Sequence, residues 1–237
     1  MSTEKASGRV ALVPTPIGHL GDMTYRGVAT LKEADVVACE DTRHSLRLFQ
    51  CYEIPRKTLL SLHARNELSR SKELIERAKM GQQIAVVTDA GMPCLSDPGY
   101  RFVRLCLEEN LPVTVLPGAC AAVTAIAGSG LPSDAFHYFG FLPQKAGRRG
   151  KALAKALALG ETSVFYESPY RIAKTLAQLA ELDPEAEVCV ARELSKRFET
   201  YHRGSALELA GWFQEHPAKG EISLVLSPSA AVSRHLD

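Results

Sequence analysis

The chain reads as an α/β protein made of two successive units, and three observations predict this. Short apolar, β-branched runs alternate with helix-period stretches along its whole length. Each of the first five runs is followed by a cluster of polar, Gly and Pro residues: TPIGHLGD, EDTRH, HARNE, DAGMPCLSDPG and PGACA. The Pro117-Gly118 turn, a small-residue segment and the breaker GSGLPSD then separate the first series of runs from a second.

In the first series, strands are expected at Val10–Val13, Val36–Cys39, Thr58–Leu62, Ile84–Val87 and Val113–Leu116. Helices are expected between them at Tyr25–Glu33, Thr42–Tyr52, Asn66–Lys79 and Tyr100–Glu109. Repeated β-α-β favours a parallel sheet with right-handed crossovers. All five strand ends then share one edge, and their loops can line one cleft. Ser96 or Asp97 is a candidate cap for the fourth helix, with Pro98 in its first turn. A small-residue helix, Ala119–Ala127, opens the second unit. Strands follow at Phe136–Phe141, Ser163–Tyr166, Val188–Arg192 and Ile222–Leu226, with helices at Arg149–Leu159, Tyr170–Leu182 and Ala206–Glu215. The expected division is a tail over 1–8, an α/β domain over 9–118, a second α/β domain over 119–230 and a tail over 231–237.

Composition narrows the function classes. At 237 residues, 46% hydrophobic and 23% charged, the chain has the make-up of a globular protein with an ample core. No apolar run approaches the roughly 18–20 residues that span a bilayer. The polar start MSTEKASGR lacks a secretory h-region, so a cytoplasmic protein without a membrane partner is expected. The formal net charge is +1, and the charges divide evenly between the two halves. Binding to nucleic acid would therefore rest on a local patch or on shape, not on a global basic field. Six cysteines, with no C-x-x-C pair, fit a reducing compartment. Cys39, Cys106 and Cys189 sit in apolar patterns as core fillers; Cys94 and Cys120 lie in loops.

The loops carry the chemistry. An acid at the end of a buried strand followed by a Gly/Pro turn, as at Asp89, Gly91 and Pro93, sits where open α/β sheets hold ligands. The first loop, Pro14 to Asp22, lacks both the G-x-G-x-x-G fingerprint and a Walker A motif. Its prolines remove N–H groups that a phosphate cradle requires, so it suits a ligand read by shape and carbonyls; as plain architecture it is a stiff turn capped by Asp22. Glu40-Asp41-Thr42-Arg43-His44 is a dense set of titratable groups at one strand end. The plain alternative there is a helix capped by Asp41 or Thr42, with Glu40 paired to Arg43. His63, Arg65, Asn66 and Glu67 read equally as a polar helix start or a substrate contact, and no metal-ligand spacing occurs, so no metal is expected. Lys145, Arg148, Arg149 and Lys151 form a basic, Gly-containing stretch that reads as a solvated charge run or as a mobile phosphate-gripping loop. Glu167 and Arg171 flank a strand-to-helix turn and can pair there.

TPIGHLGD, EDTRH, DAGMPCLSDPGY, PGACAA, GLPSDAF, GFLP, FYESPYR, ARELSK and KGEISLVL, in this order over nearly the full length, resemble the bacterial small-subunit ribosomal RNA ribose methyltransferases. That group falls within the tetrapyrrole-methylase-like class of S-adenosylmethionine enzymes. The resemblance implies a parallel N-terminal sheet, a mixed C-terminal sheet, the cofactor in the interdomain cleft and a homodimer. It implies 2′-O-methylation of a cytidine in the decoding centre of 16S rRNA, presented as free rRNA or as the 30S subunit. By resemblance Pro16, Gly18, Asp89, Gly91, Pro93, Pro117, Gly118, Cys120, Ala121 and Glu221 line the cofactor site. Asp41, His44 and Glu40 are then the candidates to accept or orient the hydroxyl proton. Arg43, Lys145, Arg148, Arg149 and Arg171 are the candidates to hold RNA phosphates. His19, Arg65, Met92 and Tyr170 depart from the pattern, where Asn, His, Thr and His are usual. The competing readings are a methyltransferase for a small tetrapyrrole and a cofactor-binding RNA module without turnover.

Overall fold

The structure, a computed structural model, describes residues 8–229. The chain divides between Cys120 and Ala121 into two compact units. The expected tails at 1–7 and 231–237 lie outside the described residues. Gly8 belongs to the body, against its expected place in the tail. It is buried, its N–H donates to Ala78 O at 2.9 Å, and a Cβ there would sit 2.1 Å from Gln82 O.

In the first unit, strands β1 (Val10–Leu12), β2 (Val36–Cys39), β3 (Thr58–Ser61), β4 (Ile84–Val86) and β5 (Val113–Val115) form one parallel sheet in the order β3-β2-β4-β1-β5. Helices α1 (Tyr25–Glu33), α2 (Thr42–Cys51), α3 (Glu67–Lys79) and α4 (Tyr100–Glu108) join them. The near-continuous apolar runs of β1, β2 and β4 are buried because both faces of the sheet are covered. Val13, Val37, Cys39 and Ala85 pack with Leu31, Leu48 and Phe49 of α1 and α2. Val36, Ala38, Ile84 and Val86 pack with Leu74, Ile75, Phe102 and Cys106 of α3 and α4. The chain leaves β1 toward β2 but leaves β4 toward β5, on the opposite side of the sheet. The neighbours β1 and β4 thus form a topological switch point, from which the following helices pass to opposite faces of the sheet.

Helix starts follow local chemistry. Thr24 caps α1 through Gly27 N–H, and Asp41 caps α2 through Arg43 N–H at 2.8 Å. His19, not Asp22, caps the short 3₁₀ turn Leu20–Asp22, accepting from Gly21 N–H. The expected caps of α4, Ser96 and Asp97, do not cap it. Gly99 takes the N-cap position at φ 130°, and the carboxylate of Glu67 reaches over from α3 to accept from the N–H groups of Gly99 and Arg101.

In the second unit, β6 (Phe136–Phe141), β7 (Thr162–Glu167), β8 (Glu187–Arg192), β9 (Thr200–Ser205) and β10 (Ile222–Ser227) form a mixed sheet in the order β6-β7-β10-β8-β9. Only β6 and β7 run parallel. Helices α6 (Ala146–Leu159), α7 (Ile172–Leu182) and α8 (Ala206–Glu215) cover one face, with Leu153, Leu176, Leu179 and Phe213 against Phe165, Val190 and Leu224. Helix α5 (Ala121–Ser129) contacts β7 to β10. Tyr201 and Arg203 of β9 meet its C-terminal turn, and Arg203 donates to the carbonyls of Gly128 and Ser129.

Strand β9 carries no sequence signal. TYHRGS has no apolar alternation because it is an edge strand with polar side chains on both faces. The basic stretch at 145–151 is not a loop. Lys145 is the N-cap of α6, and the other three cations lie in its first two turns. Among the described residues, no helix is long and apolar enough to cross a membrane.

Candidate active site

Three of the loops expected to line a cofactor converge within the first unit. Thr15 and Gly91 exchange both backbone hydrogen bonds, N–H to O, at 3.0 Å each. The Thr15 hydroxyl donates to Thr88 O at 3.1 Å. A Cβ on Gly91 would lie 3.3 Å from Ile17 Cγ2 and 3.7 Å from Ala119 O, so its contacts come from the loops after β1 and β5. Gly91 also has φ 84°, which disfavours other residues. A Cβ on Gly118 would lie 2.7 Å from Pro14 Cβ. Pro16, Gly91 and Pro93 are buried; Asp89 and Cys120 are half-buried; Gly18, Pro117 and Gly118 are exposed. Ala121 opens α5 in the second unit.

The loop after β2 joins this cluster. Asp41 N–H donates to Asp89 Oδ1 at 3.2 Å, which ties EDTRH to the end of β4. This bond follows from the sheet order, since β2 and β4 are neighbours. Asp97 comes in from the same glycine-rich turn and accepts from the Thr88 hydroxyl at 3.1 Å. Glu40, Asp41, Asp89 and Asp97 therefore sit together. Burial raises the Glu40 carboxyl above the usual carboxylate range, and the charges of Asp97 and Asp89 raise it further. Asp97 is raised by burial and by Asp89, against the lowering effect of its Thr88 bond.

Asp41 behaves differently. Arg43 grips both of its oxygens, Nε to Oδ1 at 3.1 Å and Nη2 to Oδ2 at 2.7 Å. The side-chain and backbone bonds of Arg43 hold the Asp41 carboxyl well below the usual range. The ion pair in this loop is thus Asp41–Arg43, not Glu40–Arg43. Of the two carboxylates, Asp41 is the less basic and Glu40 the better poised to accept a proton. His44 is exposed on the first turn of α2.

Two of the candidate RNA cations are structural. Arg149 is 4% exposed; its Nε donates to Gln178 Oε1 at 2.7 Å and its Nη1 to Gln144 O at 3.4 Å. It fastens α6 to α7 and is withdrawn from any phosphate. Arg171 pairs as expected with buried Glu167, Nη2 to Oε1 at 2.5 Å, and Glu167 also accepts from Ser168 N–H and the Thr175 hydroxyl. Lys145, Arg148 and Lys151 remain solvent-accessible, though on a helix rather than a mobile loop. Glu221 is exposed and pairs with Lys196 Nζ at 2.8 Å, while its N–H donates to Glu193 Oε1. Cys39, Cys106 and Cys189 are buried as expected, and burial pushes the Cys94 thiol up to about 11, so it is not a thiolate nucleophile.

Sequence reasoning missed Thr15, Thr88 and Asp97 as members of this cluster. The signal for Thr15 was its place between Pro14 and Pro16. Asp97 was legible only as a cap, because its role depends on a turn folding back on the strand end.

The cluster fits S-adenosylmethionine better than a phosphate-bearing cofactor. Its loops are closed by prolines and by paired N–H groups, and its charged members are carboxylates, complementary to a sulfonium.

Comparison with known proteins agrees with this chemistry. Residues 9–210 match the family of Tetrapyrrole (Corrin/Porphyrin) Methylases. Ribosomal RNA small subunit methyltransferase I of Streptococcus pyogenes serotype M1 is 42% identical over 97% of this chain and 80% of its own length. The protein of the same name from Micromonospora olivasterospora is 44% identical over 95% of this chain and 72% of its own. That from Escherichia coli O157:H7 is 42% identical over 99% and 83%. In fold, the chain is similar to diphthine synthase (TM-score 0.69, 14% identity, 93% of this chain and 90% of that one). It is also similar to uroporphyrin-III C-methyltransferase of Thermus thermophilus solved with S-adenosyl homocysteine (TM-score 0.63, 20% identity, 95% and 100%). The chain belongs to the tetrapyrrole methylase family of S-adenosylmethionine-dependent methyltransferases, and within it to the ribosomal RNA small subunit methyltransferases I.

Proposed function

We propose that this protein methylates the ribose 2′-hydroxyl of a cytidine in the decoding centre of 16S rRNA, acting on the 30S subunit as a cytoplasmic homodimer. The observation that carries the reading is the junction of EDTRH with the DAGMP turn through Asp41 N–H and Asp89. It brings the titratable residues Glu40, Asp41, Arg43 and His44 to the loops that suit the cofactor. The names of the relatives support the substrate class.

S-adenosylmethionine supplies, when bound, a methyl group activated on a positively charged sulfur. The loops of the first unit around Pro16 and Gly18, Asp89 to Pro93, and Pro117 to Cys120 would hold it. Much of the acceleration in such a displacement comes from positioning. Thr15 and Gly91 fix the two loops to each other, and Asp89 fixes the start of α2. Glu40 accepts the proton leaving the ribose hydroxyl, because its raised affinity brings it closer to working pH than an ordinary carboxylate. Asp41 orients Arg43, and His44 stands one residue further along the same exposed turn. Arg43, Lys145 and Arg148 hold phosphates.

The test uses labelled S-adenosylmethionine and 30S subunits from cells lacking the modification, with nuclease digestion and mass spectrometry. The expected product is a 2′-O-methylcytidine in the decoding region. Cofactor binding without incorporation into subunits or free rRNA would transfer the assignment to a small tetrapyrrole-type substrate or to a binding module.

A further inference from the structure

Outside the carboxylate cluster, the second unit carries a recess of about 300 Å³ at the exposed end of β9. Its walls are Arg192, Thr200, His202, Trp212, His216 and Lys219. In the antiparallel register Arg192 lies opposite Thr200, and His202 opposite Val190. Arg192, Thr200 and His202 therefore share the face on which α8 packs.

Three rings meet along this wall, two of them stacked. Trp212 of α8 and His216, the C-cap of that helix one turn on, lie at 4.5 Å with 16° between their planes. His202 approaches Trp212 at 4.3 Å and 37°, and Phe213 closes the base of the stack edge-on at 4.7 Å. The His216 ring is fixed by a 2.9 Å bond between Nδ1 and Trp212 O. The stack stays open to solvent: Trp212 is 38% exposed and His216 is exposed. Arg192 stands beside it as a fixed plane, donating to Thr200 Oγ1 at 3.1 Å, Lys219 O at 3.1 Å and Phe198 O at 2.9 Å. All three acceptors are neutral. Its charge is therefore held in place without a carboxylate partner among these bonds. Burial and the Arg192 charge lower the His202 pKa, so this imidazole stays neutral and keeps one acceptor nitrogen at neutral pH.

Pre-ordered rings, a fixed guanidinium and a neutral imidazole, in a volume near the lower limit of small-ligand pockets, are the chemistry for a stacked base with its phosphate. Phe213, Pro217 and Ala218 complete the lining, so the floor is apolar and aromatic, as a stacked base requires, while Arg192, Lys219 and the two histidines supply the polar groups at its edge. We propose that this recess binds one unpaired nucleotide of the RNA substrate, the base stacking on the Trp212–His216 rings and the phosphate facing Arg192. The proposal rests on the reading of an RNA substrate, but it concerns a site separate from the carboxylate cluster.

Trp212 is the only tryptophan of the chain, so its fluorescence reports on this site alone. Titration with an eight-nucleotide single-stranded oligoribonucleotide should quench it saturably, and inorganic phosphate should not. W212A should raise KM for the 30S subunit at least fivefold, with kcat and S-adenosyl homocysteine affinity unchanged. W212F keeps a ring and should stay near wild type. Should W212A melt early, H216A and R192Q serve in its place, each with an expected rise in KM alone. No saturable quenching up to millimolar oligonucleotide overturns the proposal. So does a raised KM for W212A without quenching, which would make the recess a contact for a ribosomal protein. Quenching by the oligonucleotide in a protein that methylates no RNA would leave this site standing and remove the proposed reaction instead.

Discussion

Glu40 and Asp41 are adjacent carboxylates with opposite environments. One is raised by burial and neighbouring acids; the other is lowered by a bidentate arginine. This separation assigns their roles. E40Q should lower kcat by about 10²–10⁴ with cofactor affinity retained; a kcat within twofold of wild type would remove Glu40 as the acceptor. The rate should fall as pH drops through a midpoint above the ordinary carboxylate range, because only the ionised form accepts a proton. The sign for stability is the reverse. A carboxyl raised by folding destabilises the native state above that range, so E40Q should melt no lower than wild type at pH 7. Asp41 is the opposite case: what it contributes is present above the ordinary carboxylate range and is lost as pH falls below it. Both residues were legible in sequence as candidates. Their division of labour was not, because it depends on which of the two carboxylates Arg43 reaches and on Asp97 folding back toward the strand end.

At the scale of elements, the helices and most strands were legible because their apolar faces repeat at the right period. What was not legible involves partners distant in sequence. Glu67 opens α3 and also caps α4, a pairing across 32 residues that no local rule signals. E67A should cost about 1 kcal/mol, the usual loss of a cap, read as a lower urea midpoint with unchanged m-value. Of the two readings of the basic stretch at 145–151, the mobile loop fails: its glycines suggest a loop, while the helix expected from Arg149 begins already at Ala146 and its Arg149 is taken up by α7. R149A should therefore lose about 1–3 kcal/mol of stability by leaving Gln178 and the Gln144 carbonyl without this partner. K145A/R148A should leave stability unchanged and raise KM for the subunit. Equal melting of R149A and wild type would reopen an RNA role for Arg149.

For the whole molecule, near-neutrality restricts how it engages a polyanion. With a net charge of +1 and evenly divided halves, no global basic field exists, so phosphates must be met by local cations such as Arg43, Lys145 and Arg148. Log KM for the 30S subunit against log salt should have a slope equivalent to about two to four phosphates. A slope equivalent to eight or more would overturn this expectation. Discrimination must then come from the shape of the folded subunit and from contacts with individual nucleotides.

Thr15 lies between two prolines, so it holds the one N–H of the tripeptide Pro14-Thr15-Pro16, and that N–H is committed to Gly91 O. The reciprocal bond commits the Gly91 amide in turn. These two amides report one event. Neither can exchange its hydrogen with water unless the loops after β1 and β4 part, so both should show one common protection factor. That factor gives the free energy of parting the two loops in the resting protein, with no cofactor, RNA or turnover in the experiment.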